Sequence, residues 1–232
     1  MIPIGDDEHR LSGGSFVVYG LIFVNLYVWV LELSAANPDA FILAYATIPY
    51  DVTHWVVLPP PSPPFPPLTI VTSMFLHGGW LHVGFNMLFL FVFGPAVEWV
   101  CGHARFFAFY LLCGSAGGIA QIAVGPGSHV PALGASGAIA GVLGGYLVSF
   151  PFASVRTIVP VFFIPLFVRL PAVLVIGIWA LTQFLNGFGT ISSRAAESTG
   201  GIAYFAHIGG FLAGVLLIGL MSKKKKMKIR AW

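Results

Sequence analysis

The chain has 232 residues, 57% hydrophobic and only 8% charged, with a formal net charge of +3. Soluble domains carry roughly a quarter charged residues, so the composition excludes an ordinary water-soluble domain and points to helices packed in lipid. Nucleic-acid binding is not implied either, because six of the eleven basic residues (Lys223–Lys226, Lys228 and Arg230) form one terminal run.

The first ten residues include Asp6, Asp7 and Glu8, where a cleavable signal peptide would be basic. A membrane span needs roughly 20 apolar residues, and the first predicted one is Ser15–Leu33. A long loop follows, from about Ala35 to Leu76. Its middle, Pro59–Pro67, is mostly proline and reads as a stiff extended surface connection. Leu81–Val100 and Arg105–Val124 are the next two spans. Cys101 falls at a span edge and Cys113 inside a span, so apolar packing is expected of both and no disulfide. A shorter, glycine-rich helix is predicted from about Ser136 to Pro151. Thr157–Val168 is apolar but broken by Pro160 and Pro165 and flanked by Arg156 and Arg169, and reads as a loop at the interface. Pro171–Phe188 and Ile202–Met221 complete the set. The fold class is therefore an all-α membrane protein, a six-helix transmembrane bundle over residues 15–221. A short N-terminal segment (1–14) precedes it and a basic tail (222–232) follows.

Cytoplasmic loops carry the excess of Lys and Arg. With both termini inside, the inner side collects Arg10, Arg105, Arg156, Arg169 and the six tail residues, and the outer side keeps Arg194. Contact with anionic membrane lipid suits the tail. A multi-pass protein of a prokaryotic cell membrane is the expected setting.

Polar groups inside spans are costly and call for a reason. The second helix opens with His77-Gly78-Gly79-Trp80-Leu81-His82 and continues to Asn86. The fourth opens with Gly134-Ala135-Ser136-Gly137, and the sixth carries Ala206-His207-Ile208-Gly209-Gly210. All three helices enter from the outside, so the sites share one depth and suggest one pocket. His82 and Asn86 are four apart and share a helix face. Below Ser136 on its face lie Ala140 and Gly144; below His207 lie Gly210 and Gly214. Small residues let helices approach closely, which a serine–histidine hydrogen bond of about 3 Å requires. Gly144, Gly210 and Gly214 are thus predicted helix-spacing residues. A helix starting at Ser136 leaves free N–H groups beside the hydroxyl, and these, with His82 and the Asn86 amide, can stabilise an oxyanion.

Each feature also has a plainer meaning. A serine at a helix start is commonly an N-cap, and a membrane histidine commonly a packing residue. The conjunction at one depth favours chemistry. A metal site at His77 and His82 lacks a His-Glu-x-x-His pattern and an inward acid. Glu98, beside Trp99 at the inner end of the second helix, reads as structural. Trp179 and Gln183 share a face of the fifth helix and line either the bundle or a gate.

These three motifs, in this order between about Pro67 and Leu220, resemble the rhomboid family of intramembrane serine proteases. The resemblance implies a rhomboid-like bundle and a catalytic Ser136–His207 dyad without a third acid. It implies an oxyanion hole from the Ser136 N–H and the side chains of His82 and Asn86. Single-span transmembrane proteins, cut near the outer surface, are the implied substrates, with no cofactor and no nucleic acid. Two departures stand out. Leu68-Thr69 occupies the place of a common Trp-Arg pair, and Ala140 replaces a tyrosine that some members set under the histidine ring, so another group must orient His207. The rivals are a catalytically silent relative that binds membrane proteins and a small-solute transporter. The first would lack Ser136 or His207; the second would show repeats and midplane acids.

Overall fold

The computed structural model describes residues 1–8, 14–162, 164–193 and 203–223. Arg10, Arg194 and the basic tail beyond Lys223, used above to orient the chain, lie outside the described residues.

The first helix is α1 (Phe16–Ser34), followed by a loop holding the short helices α2 (Pro38–Tyr45), α3 (Pro49–Thr53) and α4 (Thr69–Thr72). Then come α5 (Trp80–Cys101), α6 (His103–Val124), α7 (Ser136–Ser149), α8 (Ala172–Ser193) and α9 (Tyr204–Met221). These are the six helices expected. Five are long and apolar enough to cross a membrane, with mean hydropathy between 1.6 and 2.0, and the chain is an integral membrane protein. Helix α7 has 14 residues, about 21 Å at 1.5 Å per residue, short of the roughly 30 Å hydrocarbon core. Its residues from Gly137 to Tyr146 are all buried, so it is the interior helix of the bundle.

Packing explains that position. Helix α9 lies most extensively against α7 and α6, and the contact surfaces are glycine. A Cβ added at Gly210 would overlap the Gly137 carbonyl oxygen, and one at Gly214 would overlap that of Gly141. One at Gly144 would strike the Phe211 carbonyl, and one at Gly117 of α6 would come within 2.5 Å of the Ala206 carbonyl. The backbones are in contact, as small residues allow in lipid. Cys101 and Cys113 are free and buried.

Glu98 has the structural role read for it. Its carboxylate accepts from the N–H groups of Val17 (3.1 Å) and Val18 (2.9 Å), satisfying first-turn donors of α1. His103 Nδ1 lies 2.6 Å from the same group.

One segment departs from the expectation. Thr157–Val168 is no irregular loop but most of a β-hairpin, β2 (Ser154–Val161) and β3 (Ile164–Pro171). The N-terminal residues Ile2–Asp6 add a third antiparallel strand, β1, in the order β1-β2-β3. The prolines that argued against regular structure are accommodated. Pro160 and Pro165 face each other in register, Pro165 on the edge strand, while β1 reaches only to Ile158 and leaves Pro160 uncovered on its far side. Neither proline is asked for a ladder N–H it lacks. The sheet is fastened to the end of α7 by a 2.7 Å hydrogen bond from the Tyr146 hydroxyl to the buried Asp6 carboxylate.

Candidate active site

Helix α7 begins at Ser136, and its first internal bond runs from the Ile139 N–H to the Ala135 carbonyl. The N–H groups of Ser136, Gly137 and Ala138 therefore have no partner within the helix. The turn before it is set by Gly134, at φ +120°, a region that L side chains avoid. A Cβ there would also approach His82 Nε2 to 2.6 Å and Ser136 Oγ to 3.6 Å, so His82 stands directly beside the turn.

The loop from α1 to α5 braces this turn. The Gly134 N–H donates to the Ser73 carbonyl at 2.8 Å, and Thr47 and Ala132 exchange backbone hydrogen bonds of 3.0 and 2.8 Å. Hydroxyls tie the loop to itself: Thr47 to the Thr69 carbonyl (2.9 Å), Thr69 to the Pro66 carbonyl (2.7 Å), and Thr72 to the Tyr45 carbonyl (2.7 Å). Threonine anchors thus stand where a Trp-Arg pair is absent.

His207 lies in the first turn of α9, 8% exposed, with Nε2 2.8 Å from Ser136 Oγ. The predicted pair meets, and the glycine contacts below it are what bring the two backbones close enough. The other ring nitrogen, Nδ1, lies 2.8 Å from Gln183 Oε1 on α8. Trp179, one turn earlier on α8, sets its ring 5.9 Å from the imidazole. The shared face of Trp179 and Gln183 evident in the sequence is thus the face that meets His207, a contact the sequence alone does not reveal. The available signal was the cost of an amide in an apolar span, which demands a partner.

On α5, His82 Nδ1 accepts from the Gly78 N–H at 3.3 Å. Asn86, one turn on, is buried, and among the described residues its Nδ2 has no acceptor. His77 packs edge-on against His82 at 5.1 Å between ring centres, and its N–H donates to the buried Glu32 carboxylate at 3.2 Å. Behind Ser136 is a cavity of about 30 Å³, lined in part by Thr47, Ser73 and Gln121. Among the described residues, the Gln121 side-chain oxygen there is buried without a partner. Together the parts form a hydroxyl against a neutral-capable base, with N–H donors around the hydroxyl and a polar recess behind it.

Comparison with known proteins identifies the family. The sequence profile of the Rhomboid domain matches residues 66–224. The chain is 32% identical over 160 residues to "Rhomboid protein 1, mitochondrial" of Saccharomyces cerevisiae, covering 67% of this chain and 42% of that protein. It is 44% identical over 78 residues to "Rhomboid protease GluP" of Bacillus subtilis, covering 34% and 15%. To "Rhomboid-like protein 11, chloroplastic" of Arabidopsis thaliana it is 30% identical over 158 residues, covering 66% and 52%. The chain spans about half the length of these curated relatives or less. Since mitochondrial and chloroplast proteins stand beside bacterial ones, the relatives give no support to the prokaryotic membrane expected from the sequence.

Proposed function

The chain belongs to the rhomboid family, and on that premise we propose that it is an intramembrane serine endopeptidase. The observation that carries the reading is the 2.8 Å hydrogen bond between Ser136 Oγ and His207 Nε2. Ser136 attacks the carbonyl carbon of a scissile peptide bond while His207 Nε2 takes its proton. The tetrahedral oxyanion is held by the Ser136 N–H, the His82 ring N–H and the Asn86 amide. The Gly78 N–H on His82 Nδ1 leaves the ring proton on Nε2, the nitrogen that borders Gly134. Collapse expels the amine, which receives the proton from His207, and leaves an acyl-enzyme on Ser136. A water, deprotonated by His207, then releases the acid. The recess behind Ser136 has room for such a water. No cofactor enters the cycle.

The substrates we propose are single-span transmembrane proteins, cut in the half of the membrane where α5, α7 and α9 begin. Both termini then lie on the opposite, cytoplasmic side. Cysteine placed at Ser128 should react with an impermeant thiol reagent from outside, and cysteine at Ser154 should not.

The deciding experiment is covalent labelling. A fluorophosphonate should modify the purified protein at Ser136, and Ser136→Ala should abolish both labelling and cleavage of a transmembrane substrate. Labelling that persists in Ser136→Ala removes this reading.

A further inference from the structure

Two histidines flank Ser136, and each has one ring nitrogen held by a neighbour that decides which nitrogen carries the proton. The Gly78 N–H can only donate, so His82 Nδ1 is an acceptor. For His207 the matter turns on which way the Gln183 amide points. Its Nε2 donates to the Trp179 carbonyl at 3.4 Å and to the Thr182 hydroxyl at 3.2 Å. Thr182 spends its own hydrogen on the Trp179 carbonyl at 2.6 Å, so its oxygen is free to accept. Turning the amide over would set its oxygen against the Trp179 carbonyl oxygen, two acceptors without a hydrogen between them. The oxygen Oε1 therefore faces His207 Nδ1, which must carry the ring proton.

We propose that Gln183 is the positioning residue of the general base, selecting the His207 tautomer whose Nε2 lone pair faces the Ser136 hydroxyl. The inference rests on the protease reading above. Without an acceptor at Nδ1, the neutral imidazole divides between two tautomers and the ring is free to turn; in the wrong tautomer Nε2–H confronts Ser136 O–H and no proton can be taken. A mis-set tautomer costs about ten-thousand-fold in a triad with a carboxylate. The loss here is smaller because the site remains buried and Trp179 still bounds the ring. The arrangement also supplies what Ala140 does not: contact that fixes the ring comes from α8 and not from beneath, on α7.

The test uses the full chain in proteoliposomes with a transmembrane substrate, comparing Gln183→Met and Gln183→Glu. Methionine keeps the length and loses the acceptor; glutamate keeps an acceptor oxygen. Gln183→Met should lower kcat by about 10- to 100-fold, a size typical of general acid–base contributions, with KM and thermal stability near wild type. Gln183→Glu should recover most of the lost kcat. In a His207→Ala background, Gln183→Met should add no further loss, since residues acting as a unit are not additive. Wild-type kcat in Gln183→Met, an equal kcat loss in Gln183→Glu, or an effect confined to KM or thermal stability would each overturn the inference while leaving the dyad in place. Full cleavage in Ser136→Ala or His207→Ala would instead overturn the protease reading.

Discussion

Helices α9 and α8 both bear on His207, but they reach it by different means. Along α9, Gly210 and Gly214 rest on the carbonyls of Gly137 and Gly141, and Gly209 would bring a Cβ within 2.9 Å of the Ala116 carbonyl of α6. Backbone meets backbone there, and nothing can be added. Helix α8 touches the site through the side chains of Trp179 and Gln183, while Leu181, Leu185 and Phe188 stand 57 to 63% exposed. The distance between serine and histidine is thus set by rigid contact of α6, α7 and α9. The orientation of the ring is set by side chains of α8, a helix that joins the core through Ala172, Val175, Ile176 and Ala180 and leaves its other face exposed. Substitutions should separate the two. Those in the glycine contact destroy geometry, those around the pocket remove single interactions, and those at the far end leave catalysis alone.

The largest effect is expected from Gly210→Val. The added side chain would overlap the carbonyl of Gly137, the residue next to Ser136. Neighbouring backbone must move, and roughly 1 Å of misplacement can cost about a hundred-fold in rate. Cleavage should fall at least that far, and thermal stability should drop from overpacking. Gly127→Val is the control, since nothing lies within 4 Å of a Cβ there. A Gly210→Val enzyme of normal kcat, assayed on purified protein, would break the contrast between the two helices.

Next come the donors on α5. Asn86→Ala and His82→Ala should each lower kcat by roughly ten- to a thousand-fold, the range for single oxyanion donors, with little change in KM. The orphaned Asn86 amide makes it the sharper test. Wild-type turnover in both variants would leave the dyad but remove the oxyanion assignment.

How far this division was legible in the sequence differs by region. The helices were readable because apolar length and flanking charge are one-dimensional signals, and each observed helix falls within a few residues of its expected span. The spacing glycines Gly144, Gly210 and Gly214 were readable from the three- and four-residue helical spacing that puts them under the dyad. Their partners Gly137 and Gly141 were not, because which carbonyl meets which glycine depends on the relative height of two helices. Gln183 was visible as a costly amide, yet its partner lies 24 residues away on another helix. The sheet was missed for a different reason. Two prolines in an apolar run argue against a strand, and only pairing in register, Pro160 against Pro165, removes the objection. The strand β1 that joins them comes from the opposite end of the chain.

A smaller effect on cleavage is expected at Glu98. Glu98→Ala leaves the half-buried Val17 and buried Val18 N–H groups without their acceptor, at up to roughly 1–3 kcal/mol for a buried unsatisfied donor. Thermal stability should fall clearly, while kcat measured on the folded fraction should stay near wild type, because α1 meets the site side through the Glu32–His77 bond and the Trp29–Trp80 ring contact, both at the end of the helix far from Val17 and Val18. Glu98→Gln keeps an acceptor oxygen and should lose less. A kcat loss matching the stability loss would mean that α1 also fixes the pocket.

The smallest effect on chemistry should come from Tyr146→Phe, which tests whether the sheet is an independent region. The substitution keeps the ring, including its edge-on contact with Phe93 at 5.0 Å, and removes the hydroxyl that donates to Asp6 at 2.7 Å. Loss of that bond should cost about 1.5–3 kcal/mol, since its acceptor is a buried carboxylate. Tyr146 stands ten residues beyond Ser136 on α7, about 15 Å along the axis. Between them Gly137, Gly141 and Gly144 are clamped on α9. A disturbance at the sheet end must pass three backbone contacts before it reaches the serine, and each resists displacement more strongly than one lost hydrogen bond can drive it. Fluorophosphonate labelling rate and kcat should therefore be unchanged in Tyr146→Phe while the unfolding temperature falls. A labelling rate lowered tenfold or more would show that the glycine clamp transmits motion along α7 and does not stop it, and the division between a rigid core and an independent periphery would fail at the sheet.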